Sequence, residues 1–97
     1  MNSKTTTRFR ALYQALTAEG QRQARAAYRL FKQNPQHPSL QFKPISKKDP
    51  TLHSARVGAH FRAIGSLVGD TITWTWIGSH EDYNTIINPK RKANLQP

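Results

Sequence analysis

The hydrophobic pattern changes period once along the chain, at the turn carrying Asn34-Pro35 and Pro38. Before it, apolar residues recur at spacings of three and four; beyond it, they alternate. Side chains share a face about every 3.6 residues on a helix and every second residue on a strand, so neither pattern suits the other element. The chain is therefore constrained to an α+β arrangement with helices first and a sheet after them. At 97 residues it has the length of one domain, small enough that both parts must share a core.

In the helical part, Phe9, Leu12, Tyr13 and Leu16 form one apolar stripe, which predicts a helix over Arg8 to Leu16. Thr17 then caps a second helix running to about Gln33, where the prolines stop it. The pair reads as an N-terminal helical hairpin. On the second helix Ala24, Ala27, Tyr28 and Phe31 form the packing face, while Arg22, Arg25, Arg29 and Lys32 form a cationic ridge opposite, with no carboxylate expected to neutralise it. Such a ridge serves either solubility or an acidic partner or RNA.

In the second part, Leu40 and Phe42 alternate with Gln41 and Lys43 in a first strand, and Ser46 to Pro50 is a loop. Leu52 to Val57 and His60 to Leu67 flank a turn at Gly58, and Gly69-Asp70 leads into the Thr-, Ile- and Trp-rich run Thr71 to Ile77. This predicts an antiparallel sheet of about four strands. Trp74 and Trp76 are expected on one face, in the core, with Thr73, Thr75 and Ile77 on the open face. Ser79 and Asp82 have the spacing of a capping box for a short last helix, Glu81 to Ile87, ended by Pro89. The domain is set at residues 8–88, with 1–7 and 89–97, the latter carrying Lys90-Arg91-Lys92, as flexible basic termini.

Charge narrows the partners. Fifteen Lys and Arg oppose five Asp and Glu, a formal +10 that favours polyanions. The absence of cysteine excludes disulfides, thiolate metal sites and a cysteine nucleophile. No HExxH or clustered carboxylates occur, so neither metal nor cofactor is expected. The polar, basic start has no secretory apolar run and no stretch is long enough to span a membrane, which makes the cytoplasm the expected location.

Three side chains stand out. Arg56 and Arg62 lie on neighbouring strands that carry no acidic residue. Pairing Val57 with His60 would set Arg56 opposite Phe61, and a one-residue shift or a bulge at Gly58 decides whether the two guanidinium groups share a face; convergence is the expectation adopted. Guanidinium groups match phosphate oxygens in a planar, bidentate way. His80 follows the last strand, either as a cap or surface residue or as a general acid or base. Tyr83 lies one turn further on. His37, His53 and His60 have no defining spacing.

The run Ser54-Ala-Arg-Val-Gly-Ala-His-Phe-Arg62 and the closing Trp76-Ile-Gly-Ser-His-Glu-Asp-Tyr83, in this order of elements, resemble the RelE/ParE superfamily of toxins from bacterial type II toxin-antitoxin systems. The Arg-Val-x-x-x-aromatic-Arg hairpin is similar to that of the HigB branch, and the strand ending in Gly-x-His to that of the YafQ branch. The resemblance implies a RelE-like fold and a ribosome-dependent endoribonuclease that cuts mRNA without a metal, the ribose 2'-hydroxyl being the nucleophile. Arg62 would contact the scissile phosphate, with Arg56, His80 and Tyr83 completing the catalytic set. Lys43, Lys47, Lys48 and His60 would contact RNA. An antitoxin would be the protein partner, its acidic helix lying on Arg22, Arg25, Arg29 and Lys32. A ParE-like inhibitor of DNA gyrase and an inactive RNA-binding orphan are the alternatives on the same scaffold.

Overall fold

The computed structural model describes residues 1–88; the basic segment 89–97 lies outside the described residues. The elements, in order, are β1 (Asn2–Thr5), α1 (Thr7–Gln14), α2 (Ala18–Gln33), a 3-10 turn (Pro38–Leu40), β2 (Lys43–Pro44), β3 (Leu52–Val57), β4 (Phe61–Val68), β5 (Thr71–Ser79) and α3 (His80–Ile87). The strands form one sheet in the order β1-β5-β4-β3-β2.

The α+β architecture and the antiparallel β3-β4-β5 meander match the sequence reading. Two corrections concern its edges. Residues 2–5, expected to be part of a flexible terminus, are a strand that pairs in parallel with β5, from Asn2 opposite Thr71 to Thr5 opposite Trp74. The sheet is therefore mixed and five-stranded, and the helical pair follows a strand instead of opening the chain. Polar Asn2-Ser3-Lys4-Thr5 shows no alternation because this edge strand is held by backbone pairing and by Ser3 Oγ, which accepts from Trp74 Nε1 at 3.1 Å. At the other edge, the expected strand over Leu40 to Lys43 is mostly a turn. Pro38 starts the 3-10 segment, Leu40 is buried, and Gln41 adopts left-handed φ of 47°, so pairing begins only at Lys43.

Helices α1 and α2 start where their caps direct. Thr6 Oγ1 accepts from Phe9 N–H at 3.0 Å, and Thr17 Oγ1 from Gly20 N–H at 3.0 Å. Gly20 is buried against β4, where a Cβ would stand 2.9 Å from the Phe61 ring. Glycine thus sets how closely α2 approaches the sheet. The α1/α2 side holds the main core of Phe31, Leu40, Ala55, Val57, Ala63, Ile72, Trp74 and Ile77.

The second core lies on the other side of the sheet, where Ile64, Trp76 and Tyr83 pack with Leu52, Ile45 and, reaching over from α1, Leu12. The two tryptophans are consequently on opposite faces, contrary to strict alternation, and Ile77, expected on the open face, is buried on the helical side. A bulge explains both corrections. Ile64 pairs with Trp76 but Gly65 pairs with Trp74, leaving Thr75 as an extra residue that inverts the parity of Trp76 and Ile77. Thr75 Oγ1 donates to Ile64 O at 3.3 Å. Gly65 makes room for the kink, since a Cβ there would approach Ile72 and Trp74 to 2.9 Å. Among the described residues no helix is long and apolar enough to cross a membrane.

Candidate functional site

The β3-β4 hairpin closes through three residues, Gly58, Ala59 and His60, with Val57 opposite Phe61. The loop is one residue longer than the pairing of Val57 with His60 assumed, and this places Arg56 directly opposite Arg62. Directly opposed residues of an antiparallel pair project to the same side, so both side chains leave the sheet on the face away from α1 and α2, while Arg56, near the edge of the sheet, also lines a cleft with Gln23 and Leu30 of α2. Gly58 is favoured by its φ of +62°, which side-chain-bearing residues rarely adopt; a Cβ would also displace the Gln23 amide.

The neighbouring positions complete that face. Arg62 pairs across with Gly78 of β5, where a Cβ would meet the Trp76 ring at 2.6 Å; the tryptophan fills the space instead. Lys43 of β2 stands opposite Ser54 and so faces the same side as Arg56, on the exposed edge. Lys47 and Lys48 are exposed in the bend between β2 and β3, and His60 is exposed in the hairpin loop.

Helix α3 delivers His80 and Tyr83. Ser79 Oγ accepts from Asp82 N–H at 3.1 Å, and His80 N–H donates to His60 O at 2.9 Å, tying the helix start to the hairpin loop. His60 and His80 thus share one rim, and the His80 side chain is exposed. Tyr83 turns back onto the sheet and is only 4% exposed; its hydroxyl donates to Ser54 Oγ at 3.1 Å, and Ser54 is fully buried.

Arg62 is held without a carboxylate. Its guanidinium carbon lies 5.3 Å from the Tyr83 ring centroid, and one terminal nitrogen donates to Gln41 Oε1 at 3.1 Å. The other, Nη1, is buried with no hydrogen-bond partner. Arg56 Nε donates to Gly58 O at 3.0 Å. The His80 ring stacks at 15° to Tyr83 with centroids 6.3 Å apart. Among the described residues neither arginine forms an ion pair, so their charge remains available to an anionic ligand. Gln41, which sequence reasoning missed, arrives from a turn whose left-handed backbone no local pattern announces. Among the described residues no group of three or more His, Asp or Glu could hold a metal ion.

The basic ridge occupies a separate surface on α2, behind the sheet. Arg22 pairs with Glu19, correcting the expectation that no carboxylate stands near. Arg25 donates to Tyr13 Oη at 2.9 Å, Arg29 is exposed, and Lys32 Nζ lies 5.5 Å from the ring centroid of Tyr28. Tyr28 itself is 42% exposed, not part of the packing face. Between α1 and α2 an apolar groove of about 440 Å³, with Phe31 and Trp74 in its lining, opens past Arg10, Arg25 and Tyr28.

A family model described as a ParE-like toxin domain matches residues 18–85. Solved structures share the fold at low identity. YafQ from E. coli strain BL21(DE3) aligns with a TM-score of 0.67 at 12% identity over 84% of this chain and 96% of YafQ. The E. coli DinJ-YafQ complex aligns at 0.67 and 13%, over 84% of this chain and 94% of that one. A YoeB/ParE toxin from Agrobacterium tumefaciens aligns at 0.64 and 17%, over 82% and 99%. No curated protein matches the chain.

Proposed function

The chain belongs to the ParE-like toxin family, within the RelE/ParE superfamily, and from that premise we propose that it is the toxin of a type II toxin-antitoxin system and a metal-independent endoribonuclease acting on ribosome-bound mRNA. One observation carries the nuclease reading: Arg56 and Arg62 oppose each other on one face, beside the rim that bears His80, with no ion pair among the described residues to neutralise them.

In this reading the ribose 2'-oxygen attacks the adjacent phosphorus and the 5'-oxygen leaves, giving a 2',3'-cyclic phosphate and a 5'-hydroxyl. The two guanidinium groups stabilise the charge gathering on the phosphorane-like transition state. His80 takes the proton from the 2'-hydroxyl or gives one to the 5'-oxygen. Tyr83 belongs to the same site, and Lys43, Lys47, Lys48 and His60 flank it as contacts to mRNA or rRNA. The cytoplasm is the compartment such a substrate requires.

Mapping mRNA ends on ribosomes after brief induction tests this reading, with a gyrase supercoiling assay in parallel. Codon-positioned ends that vanish in Arg62→Ala and His80→Ala support it. Full toxicity of both folded variants would sink it. The family model's ParE-like designation favours a second reading, inhibition of DNA gyrase, for which His80 is dispensable and supercoiling is blocked.

The E. coli DinJ-YafQ complex is a toxin-antitoxin complex, and we place an antitoxin segment on α2. An acidic amphipathic helix would set its charges against Arg25, Arg29 and Lys32, with Arg22 shared by Glu19, and its apolar side toward the neighbouring groove. Reversing the four basic residues to Glu should abolish binding; unchanged affinity would remove the assignment.

A further inference from the structure

Tyr83 carries two features that point to different roles, a hydroxyl suited to proton transfer and a ring suited to packing. The hydroxyl is committed inward. Its proton goes to Ser54 Oγ at 3.1 Å, on a side chain with no exposure at all. The ring, by contrast, meets both side chains on which the nuclease reading depends: the Arg62 guanidinium at 5.3 Å and the imidazole of His80 at 6.3 Å.

We propose that Tyr83 acts through its ring as a positioning residue for Arg62 and His80, and that buried Ser54 anchors that ring; the assignment rests on the nuclease reading above. Two physical arguments support it. First, Ser54 is fully buried in β3, opposite Ile64 of β4, where burying a hydroxyl is costly unless a partner satisfies it. The Tyr83 hydroxyl is the partner. Secondly, Arg62 keeps Nη1 buried and unpaired, so its pose has few direct holds. A long cationic side chain tends to carry its charged end into water. Here the Tyr83 ring and Gln41 Oε1 oppose that tendency, the ring through its negative face.

The test is a set of variants assayed for single-turnover cleavage of mRNA on programmed ribosomes. Tyr83→Phe and Ser54→Ala delete the same hydrogen bond, so each should lower the saturating cleavage rate by a similar factor of about three to ten, with the half-saturating concentration little changed. The double variant strands no polar group and should be no worse than either single change. Tyr83→Leu removes the ring, and the resulting misplacement should cost about 100-fold. A Tyr83→Phe loss as deep as that of Tyr83→Leu, with Ser54→Ala unaffected, would overturn the proposal in favour of hydroxyl chemistry.

Proton NMR supplies a readout independent of cleavage. Ring-current shifts on the Arg62 side-chain and His80 imidazole protons should persist in Tyr83→Phe and disappear in Tyr83→Leu. Their absence from the unaltered chain would refute the positioning role. If that chain shows the shifts but cuts no mRNA, the nuclease reading fails while the measured geometry stands.

Discussion

The two faces of the sheet are built on different principles. The face toward α1 and α2 is sealed by large apolar side chains, Phe31, Ile72, Trp74 and Ile77 among them, and its cohesion scales with the area removed from water. The other is covered mainly by the eight-residue α3, with Leu12 of α1 and Ile45 at its margin, and its layer mixes Ile64 and Trp76 with a buried hydroxyl pair and a guanidinium lying over an aromatic ring. The first face stabilises the sheet, leaving the second free to hold charge where a purely folding-driven design would place hydrocarbon. The bulge at Thr75 links the two, giving each face one tryptophan.

Removing that link should have the largest effect. Inserting one residue between Ile64 and Gly65 gives Thr75 a partner and restores strict alternation in β5, so residues on one side of the insertion must present the wrong face. Either Trp74 leaves the helical core or Trp76 and Gly78 leave the arginine face. The expected result is loss of cooperative unfolding, a penalty beyond about 4 kcal/mol, seen by circular dichroism in a urea titration. A stable variant would mean that the faces are not separated by the bulge.

The next test separates the faces themselves. Trp74→Ala empties the helical core and should cost about 3–5 kcal/mol of stability. Arg62→Ala should alter stability by less than about 1 kcal/mol, because its guanidinium forms no ion pair among the described residues. On the proposed nuclease reading its cleavage rate should nevertheless fall by roughly 100- to 1000-fold, the usual scale for losing one charge-stabilising donor. Denaturation midpoints and cleavage rates on the same samples decide it. Equal stability losses would erase the division between structural and functional faces.

This division also explains what could be read from the amino-acid sequence. The helical face was legible because its residues repeat at regular spacings: Phe9, Leu12, Tyr13 and Leu16 mark α1, and Thr17 announces α2. The meander was legible for the same reason. What escaped depends on single-residue offsets. Leaving Thr75 unpaired flips Trp76 and Ile77 relative to strict alternation, and one extra residue in the Gly58 loop moves Arg56 from opposite Phe61 to opposite Arg62. No periodicity encodes either. β1 escaped because a polar edge strand is held by its backbone, and Gln41 because its position depends on a left-handed turn. The candidate site was thus legible in its residue types, Arg56, Arg62 and His80, but not in the contacts that orient them.

The smallest effect gives the finest comparison, because the same kind of cap occurs on both faces. Thr17 accepts from Gly20 N–H at 3.0 Å at the start of α2, and Ser79 accepts from Asp82 N–H at 3.1 Å at the start of α3. Each changed to Ala should cost about 1 kcal/mol of stability, since each frees one backbone N–H at a helix start. Only Ser79 sits next to the rim residue His80 and one turn from Tyr83. Fraying there should displace the imidazole and loosen the ring beneath Arg62, while fraying at Thr17 should leave both in place. With equal losses of stability, cleavage should therefore fall for Ser79→Ala and hold for Thr17→Ala. Parallel losses of activity would show that the arginine face depends on the overall stability of the fold rather than on the helix that covers it.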